Sequence, residues 1–364
     1  MRSREQALEA GRRPELIPDG EVWNDTILEL APPPTRGGVA SVVWRWSAWD
    51  HLVQDYDATK ATFGVVADAP HRLDLNFCPA GGKTGSRNRD LLVPADRRPP
   101  NPSGLVAVSP EGKTGEKDWL HCNAVAYDAA RDEVWISSNV LSEVLCVDHA
   151  TTAAEAATGD GGRRGRGGDV LYRFGNPRAR RRGGEPERQL FCQHSAHVLP
   201  GGDADGAARV LLFNNGRAPD RMWSTIDEYE MPARFAIDTA CTTDDADADP
   251  APPRLVWRYG PALGRRDSFY CTHSSGCQRL PNGNTLITFG PQGIILEVTR
   301  DGEQCWRYVS PVRSDAHAHV AVRQGDQRTG GRFSLFRALR YAPDDPCLAG
   351  CELPASDLRR PLER

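Results

Sequence analysis

The chain has 364 residues, with 45 Lys+Arg against 49 Asp+Glu and a formal net charge of −4. Near neutrality argues against a nucleic-acid binder held by phosphate neutralisation, which needs a strong basic excess, and no run of ~18 apolar residues exists to form a membrane-spanning helix. The 35 glycines and 28 prolines exceed the roughly 12% that average usage gives the two together, so the chain turns often, and its length is ample for a sizeable core.

Residues 1–21 read as an N-terminal extension, with charge, no apolar h-region and therefore no expected secretory signal. Residues 4–12 fit a short amphipathic helix, and Thr151–Ala157 another. Elsewhere helical periodicity is scarce, and short alternating runs dominate. Ten cysteines (78, 122, 146, 192, 241, 271, 277, 305, 347 and 351) are spread too widely for a disulfide scaffold. Cys271/Cys277 and Cys347/Cys351 could each close a short loop; free thiols at half-buried strand positions are the simpler expectation. Neither pair has the spacing of a structural zinc site. The Gly-Lys-Thr tripeptides at 82–84 and 112–114 lack the earlier glycine of a phosphate loop, because Phe77 and Ala107 stand there, so no nucleotide cofactor is expected.

Internal repetition is the strongest signal. Trp49-Asp50-His51 and Trp119-Leu120-His121 share one form; Phe191-Cys192-Gln193-His194 and Tyr270-Cys271-Thr272-His273 share a second. The histidines follow one another at intervals of 70, 73 and 79 residues. After three of them come a strand, a turn and a second apolar strand, ending at Val134-Trp-Ile-Ser, Val210-Leu-Leu-Phe and Thr285-Leu-Ile-Thr. In the last copy the turn is Pro281-Asn-Gly-Asn, where Asn and Gly accept positive φ. A second recurring segment leads to Val43-Trp-Arg-Trp, Val170-Leu-Tyr-Arg-Phe, Val256-Trp-Arg-Tyr and Cys305-Trp-Arg-Tyr. Alternating short strands with hairpin turns, repeated several times, describe an all-β fold, the blades of a β-propeller. Four units are legible; residues 52–117 are too weakly patterned for blades to be counted. The basic stretches at 161–168 and 178–184 and the acidic one at 242–250 are expected to be solvated polar loop insertions between strands.

If each repeat histidine begins an inner strand, His51, His121, His194 and His273 converge on one central channel. Asn123, two residues on, would share a strand face with His121. Clustered neutral imidazoles suit nucleophilic catalysis, proton shuttling or metal binding; the alternative is that each caps a strand and bonds backbone. No set of Asp or Glu accompanies them at the repeat position, so a metal would need all-His ligation, and none is expected. His71, His149, His317 and His319 lack the register and read as surface residues, and His197 as structural.

Asp118-Trp-Leu-His-Cys-Asn-Ala-Val-Ala-Tyr, the Ser-Glu…Asp-His-x-Thr-Thr run at 142–152, Gln193-His194, Leu211-Leu-Phe-Asn-Asn-Gly and Gln278-Arg-Leu-Pro-Asn-Gly-Asn-Thr-Leu-Ile together resemble the bacterial arylsulfotransferase family, specifically its arylsulfotransferase-like branch. The ending near Phe336-Arg-Ala-Leu-Arg-Tyr-Ala-Pro agrees. The resemblance spans roughly residues 22–358, read as one propeller domain followed by a tail at 359–364. It implies six blades and a cofactor-free, ping-pong transfer of a sulfuryl group from an aryl sulfate to a phenol through a sulfohistidine. By that resemblance His194 is the nucleophile, and His121 and Asn123 bind sulfuryl oxygens and activate the phenol. His51 is a further channel histidine; the repeat register adds His273 beside the substrate, and Arg279 or Arg217 could supply a charged donor there, an ordinary surface or strand-end place being the simpler alternative for either. The family's best-known members carry Arg where this chain has Asn139. Asn donates a hydrogen bond without charge, and losing a charged donor costs on the order of 10²–10³ in rate. Weak or absent activity, with the funnel serving as a non-catalytic binding site for a small ligand or protein, is therefore the rival expectation. Related proteins are often exported, so the compartment stays open.

Overall fold

The computed structural model describes residues 1–17, 20–78, 117–200, 207–217, 221–232, 251–261, 269–314, 319–321 and 333–351. The Gly-Lys-Thr tripeptides, Cys241, the 242–250 acidic stretch, His317 and the 359–364 tail lie outside these. Two compact units emerge, one of described residues up to His273 and one from Ser274 onward.

In chain order the first unit opens with β1 (Arg2–Ser3) and β2 (Glu21–Val22), which pair antiparallel around α1 (Arg4–Glu9). Ser3 and Gln6 cap that helix reciprocally: the Gln6 backbone N–H donates to Ser3 Oγ (3.3 Å) and the Ser3 N–H to Gln6 Oε1 (3.0 Å). Next come β3 (Thr26–Ala31) and β4 (Ser41–Ser47), an antiparallel pair, then the short parallel pair β5 (Leu52–Val53) and β6 (Leu73–Asp74). Two full antiparallel meanders follow. One is β7 (Cys122–Asp128), β8 (Glu133–Ser138), β9 (Glu143–Asp148) and β10 (Val170–Phe174). The other is β11 (His194–Val198), β12 (Arg209–Asn214), β13 (Thr225–Glu230) and β14 (Arg254–Tyr259). The second unit holds a third, β15 (Gly276–Arg279), β16 (Thr285–Phe289), β17 (Ile294–Val298) and β18 (Gln304–Val309), besides the pair β19 (Val312–Ser314) and β20 (His319–Ala321).

Each four-stranded sheet runs in strict sequence order, which is how a propeller blade is built. The strands lie where the sequence alternates, and the first unit's core is their inward faces. Trp46, Leu73, Leu120, Ile136 and Leu145 form one buried cluster; Trp135, Leu171, Tyr172, Leu212 and Tyr229 form another. The recurrent Arg of the fourth strand has a mechanical purpose. Arg258 donates twice to Asp227, its direct cross-strand partner on β13 (2.7 and 3.0 Å), and Arg173 Nε donates to Glu143 at the head of β9 (3.0 Å).

The two basic stretches are loops outside the strands, as expected, but several of their arginines are engaged rather than solvated. Arg164 pairs with buried Glu133 (2.7 Å), Arg180 with buried Glu143 (3.1 Å) and Arg181 with buried Asp74 (3.2 Å). Carboxylates buried in the sheets need compensating cations, and these loops supply them. His71 and His149 are half-buried rather than on the surface: His149 Nδ1 bonds Asp132 (2.7 Å) and its ring packs against Trp44 and Tyr127. No disulfide joins Cys271 to Cys277 or Cys347 to Cys351.

Tight packing around Gly168 ties β4 to the loop before β10. Trp46 Nε1 donates to the Gly168 carbonyl (2.8 Å), and a Cβ at Gly168 would lie 2.1 Å from the Ala156 oxygen and 2.7 Å from His51 Nε2. Gly168→Ala is therefore expected to lower stability by about 1–3 kcal/mol, measured by urea unfolding.

Candidate functional site

The backbone at or beside three of the repeat histidines, His121, His194 and His273, is unusual. His121, Cys192, Ser195, Ser274 and Ser275 all have positive φ, between 47° and 81°. For non-glycine residues this costs of order 1–3 kcal/mol each and persists only where surroundings enforce it. The register of β7 on β8 skips at Asn123, and that of β11 on β12 skips between His194 and His197, so each histidine sits beside a bulge. Bulges re-aim side chains, and Asn123 is turned by its bulge toward the next blade.

What enforces this backbone is a set of side chains from the preceding blade. The Asn139 amide donates to the Cys192 carbonyl (3.1 Å), and Ser142 Oγ accepts from the Cys192 N–H (3.1 Å). The Gln193 side-chain amide is wedged against Ser137 Oγ, the Ser138 carbonyl and the Glu143 carbonyl at 2.8–3.0 Å. Asn123 Nδ2 donates to the Gln193 carbonyl (2.7 Å). One blade later the pattern recurs, with Asn215 donating to the Cys271 carbonyl (2.9 Å) and Ser224 Oγ accepting from the Cys271 N–H (2.8 Å).

His194 ends this chain of contacts. Its Nδ1 lies 2.8 Å from Asn215 Oδ1 and 3.1 Å from the Cys192 carbonyl. The Asn215 amide group is spoken for at its nitrogen by Cys271, so its oxygen faces the ring. Two acceptors at Nδ1 require the proton there, which leaves the lone pair on Nε2. Burial pulls the pKa down to about 4; the Asn215 bond opposes this, and the nearby His121 and His273 add to it. The ring is thus neutral and oriented, the state a nucleophilic imidazole needs.

His121 Nδ1 bonds Asp118 Oδ2 at 2.5 Å. His273, whose pKa burial also lowers, contacts Thr272 Oγ1 through Nδ1 (2.8 Å). His121 and His273 both lie close enough to His194 to help lower its pKa. His51 shares no hydrogen-bond partner with them. It is wholly buried, stacked on Trp46, with Nδ1 on Asp169 (2.7 Å) and Nε2 on the Ala156 carbonyl (2.9 Å), so both nitrogens are occupied. In the second unit Arg279 donates to the Gly283 carbonyl (3.1 Å) and Thr285 Oγ1 (2.6 Å), closing its own hairpin. Asn139 and Asn123 each commit an amide hydrogen to backbone, and each keeps a buried oxygen without a hydrogen-bond partner among the described residues.

Two buried cations flank Phe191, three residues before His194: the guanidinium groups of Arg188 and Arg221 stand 4.3 and 5.3 Å from its ring. Sequence reasoning passed over Asp118 and Asn215, although both lie inside motifs that had drawn notice. Among the described residues no group of three or more His, Cys, Asp or Glu is arranged to hold a metal ion, and no helix is long and apolar enough to cross a membrane.

Because its folded pKa lies near 4 against an ordinary 6.5, His194 takes its proton first in the unfolded chain. Its neutral burial therefore costs stability progressively as pH falls from 6.5 toward 4. Urea unfolding is expected to show that loss in the wild type and a smaller one in His194→Gln. Nitrogen NMR is expected to find the His194 ring neutral with its proton on Nδ1 from about pH 8 to about pH 5.

No similar sequence was found among curated proteins. Among solved structures, a protein of unknown function from Bacteroides caccae is similar at 14% identity, over 54% of this chain and 48% of that chain, with a TM-score of 0.28. The Cps50 (Swd1) β-propeller domain of Myceliophteria thermophila is similar at 10% identity, over 53% and 42%, also with a TM-score of 0.28. The chain thus matches about half the length of each. The family model for arylsulfotransferase (ASST) matches residues 19–327, most of the chain. The described chain is all-β with blade-like sheets, His121 and His194 stand where the first unit's two four-stranded sheets begin, and the chain belongs to the arylsulfotransferase family.

Proposed function

We propose that this protein moves a sulfuryl group from an aryl sulfate to a phenol by a ping-pong route, with His194 as nucleophile and His121 as acid and base. The observation that carries the reading is the fixed His194 tautomer. Its proton is committed to Asn215 and the Cys192 carbonyl, so the Nε2 lone pair is available. In the first half-reaction Nε2 attacks sulfur, and the sulfur–oxygen bond to the aryl group breaks. The departing phenolate oxygen takes its electron pair and accepts a proton from the His121 imidazolium. The second half runs in reverse. His121 removes the acceptor phenol's proton as its oxygen attacks sulfur, and the nitrogen–sulfur pair returns to His194.

Asn123 and Asn139 complete the frame. Each commits an amide hydrogen to the backbone beside His194 and so holds that segment in place. His273, near His194 and with a pKa that burial lowers, would line the sulfuryl side. Charge stabilisation has to come from groups other than position 139, where the amide is neutral. That neutrality favours the second reading, a funnel that binds an aromatic ligand without transferring anything.

Incubating the purified protein with an aryl sulfate and no acceptor separates the two readings. Transfer predicts an intact-mass gain of one sulfuryl group, absent in His194→Ala and discharged by added phenol. A folded wild type that binds the aryl sulfate yet gains no mass would leave only the binding reading.

A further inference from the structure

The two channel histidines are oriented by different chemistries. His194 Nδ1 faces a neutral amide oxygen and a carbonyl, whereas His121 Nδ1 faces the carboxylate of Asp118 at 2.5 Å. A neutral acceptor fixes a tautomer without making the ring much more basic, while a carboxylate fixes the same tautomer and also stabilises the imidazolium. A nucleophile needs the first environment and a proton donor the second.

The Asp118 contact is built into the fold. Positive φ at His121 (47°) turns its ring back over the residue three places earlier. Residue 118 is itself pinned: Trp23 forms a parallel bridge with Asp118, and the Trp23 N–H donates to the Lys117 carbonyl (2.6 Å). The same strap brings Asp25 alongside, its backbone carbonyl held by the Ala48 N–H (3.1 Å). Burial, and then the charge of Asp118, push Asp25 up to about 6. Burial, and then Asp25 and Asp118, push the Cys122 thiol well above its usual value. The groups around this carboxyl are thus His121, Asp25 and Cys122.

The geometry points to Asp118 as a positioning residue that holds His121 with its proton on Nδ1 and makes its Nε2 the site that gives a proton to the leaving phenolate and takes one from the acceptor phenol. This rests on the sulfuryl-transfer reading and adds the residue that decides which histidine does the proton work. Asp118 itself neither touches sulfur nor changes its bonds. It carries the charge that offsets the imidazolium each time the ring is protonated.

The test uses single-turnover sulfation of the full chain, followed by intact mass, with two donors whose phenols differ in acidity. Nitrophenyl sulfate releases a stable phenolate and needs little help; phenyl sulfate needs a proton. Asp118→Asn is expected to slow sulfation by phenyl sulfate by about 10²-fold or more and to slow nitrophenyl sulfate far less. Equal slowing with both donors, or no slowing with either, would overturn the assignment. A separate measurement needs no variant: nitrogen NMR of wild-type His121, at a pH where the ring is neutral, is expected to find the proton on Nδ1. A proton on Nε2 overturns the assignment while leaving His194 sulfation intact. Failure of wild-type sulfation with both donors overturns the transfer reading instead.

Discussion

Everything at the candidate site depends on one seam. The backbone at Cys192 adopts a conformation that no isolated strand would choose, and the blade before it holds both of that residue's peptide groups. Asn139 grips the carbonyl and Ser142 receives the N–H. A buried peptide unit with both polar groups matched is rigid, because either group left alone in the interior would cost more than the bond gains. The wedge of Gln193 and the Asn123 contact make the hold fourfold. From there the ring of His194 has little freedom left, and Asn215 removes the remainder. His194 is thus presented by its own blade but aimed by its neighbour.

That arrangement gives Asn139 a meaning that substitution logic alone missed. Read as a lost arginine, the position looks like a defect. In place, its amide is one jaw of the clamp, and Asn215 repeats the contact one blade on. A residue at the end of the second strand reaches forward in both cases. The repeat is therefore a repeat of joints as much as of strands.

The strands were legible in the sequence because period-two alternation and recurring Trp-Arg-aromatic runs are local. Val134, Val210 and Thr285 each fall inside the predicted second strand. The proximity of His121, His194 and His273 was legible because a repeat position maps to one place in each blade. His51 broke the pattern. Its aromatic-x-His segment enters a single helical turn at Ala48–Asp50 and then a two-residue strand, and the partner that claims its ring, Asp169, is far along the chain. Long-range pairing also hid the fate of the basic loops. A run of arginines looks solvated until Glu133, Glu143 and Asp74 are found waiting in the sheets. Asp118 and Asn215 were in view as letters, but their roles follow from a positive φ and a bulge that no propensity announces.

The clamp also bears on how such a site can be inherited. In a protein grown by duplicating blades, each copy normally carries its function whole, as a pocket or a loop. Here a copied blade brings a histidine without the grip that aims it, and a grip without the histidine it aims. The smallest unit that can be duplicated, shuffled or lost with its chemistry intact is therefore the boundary between two blades. Divergence on either side must move in step, so a blade can drift freely over its outer strands while its seam with the next stays fixed.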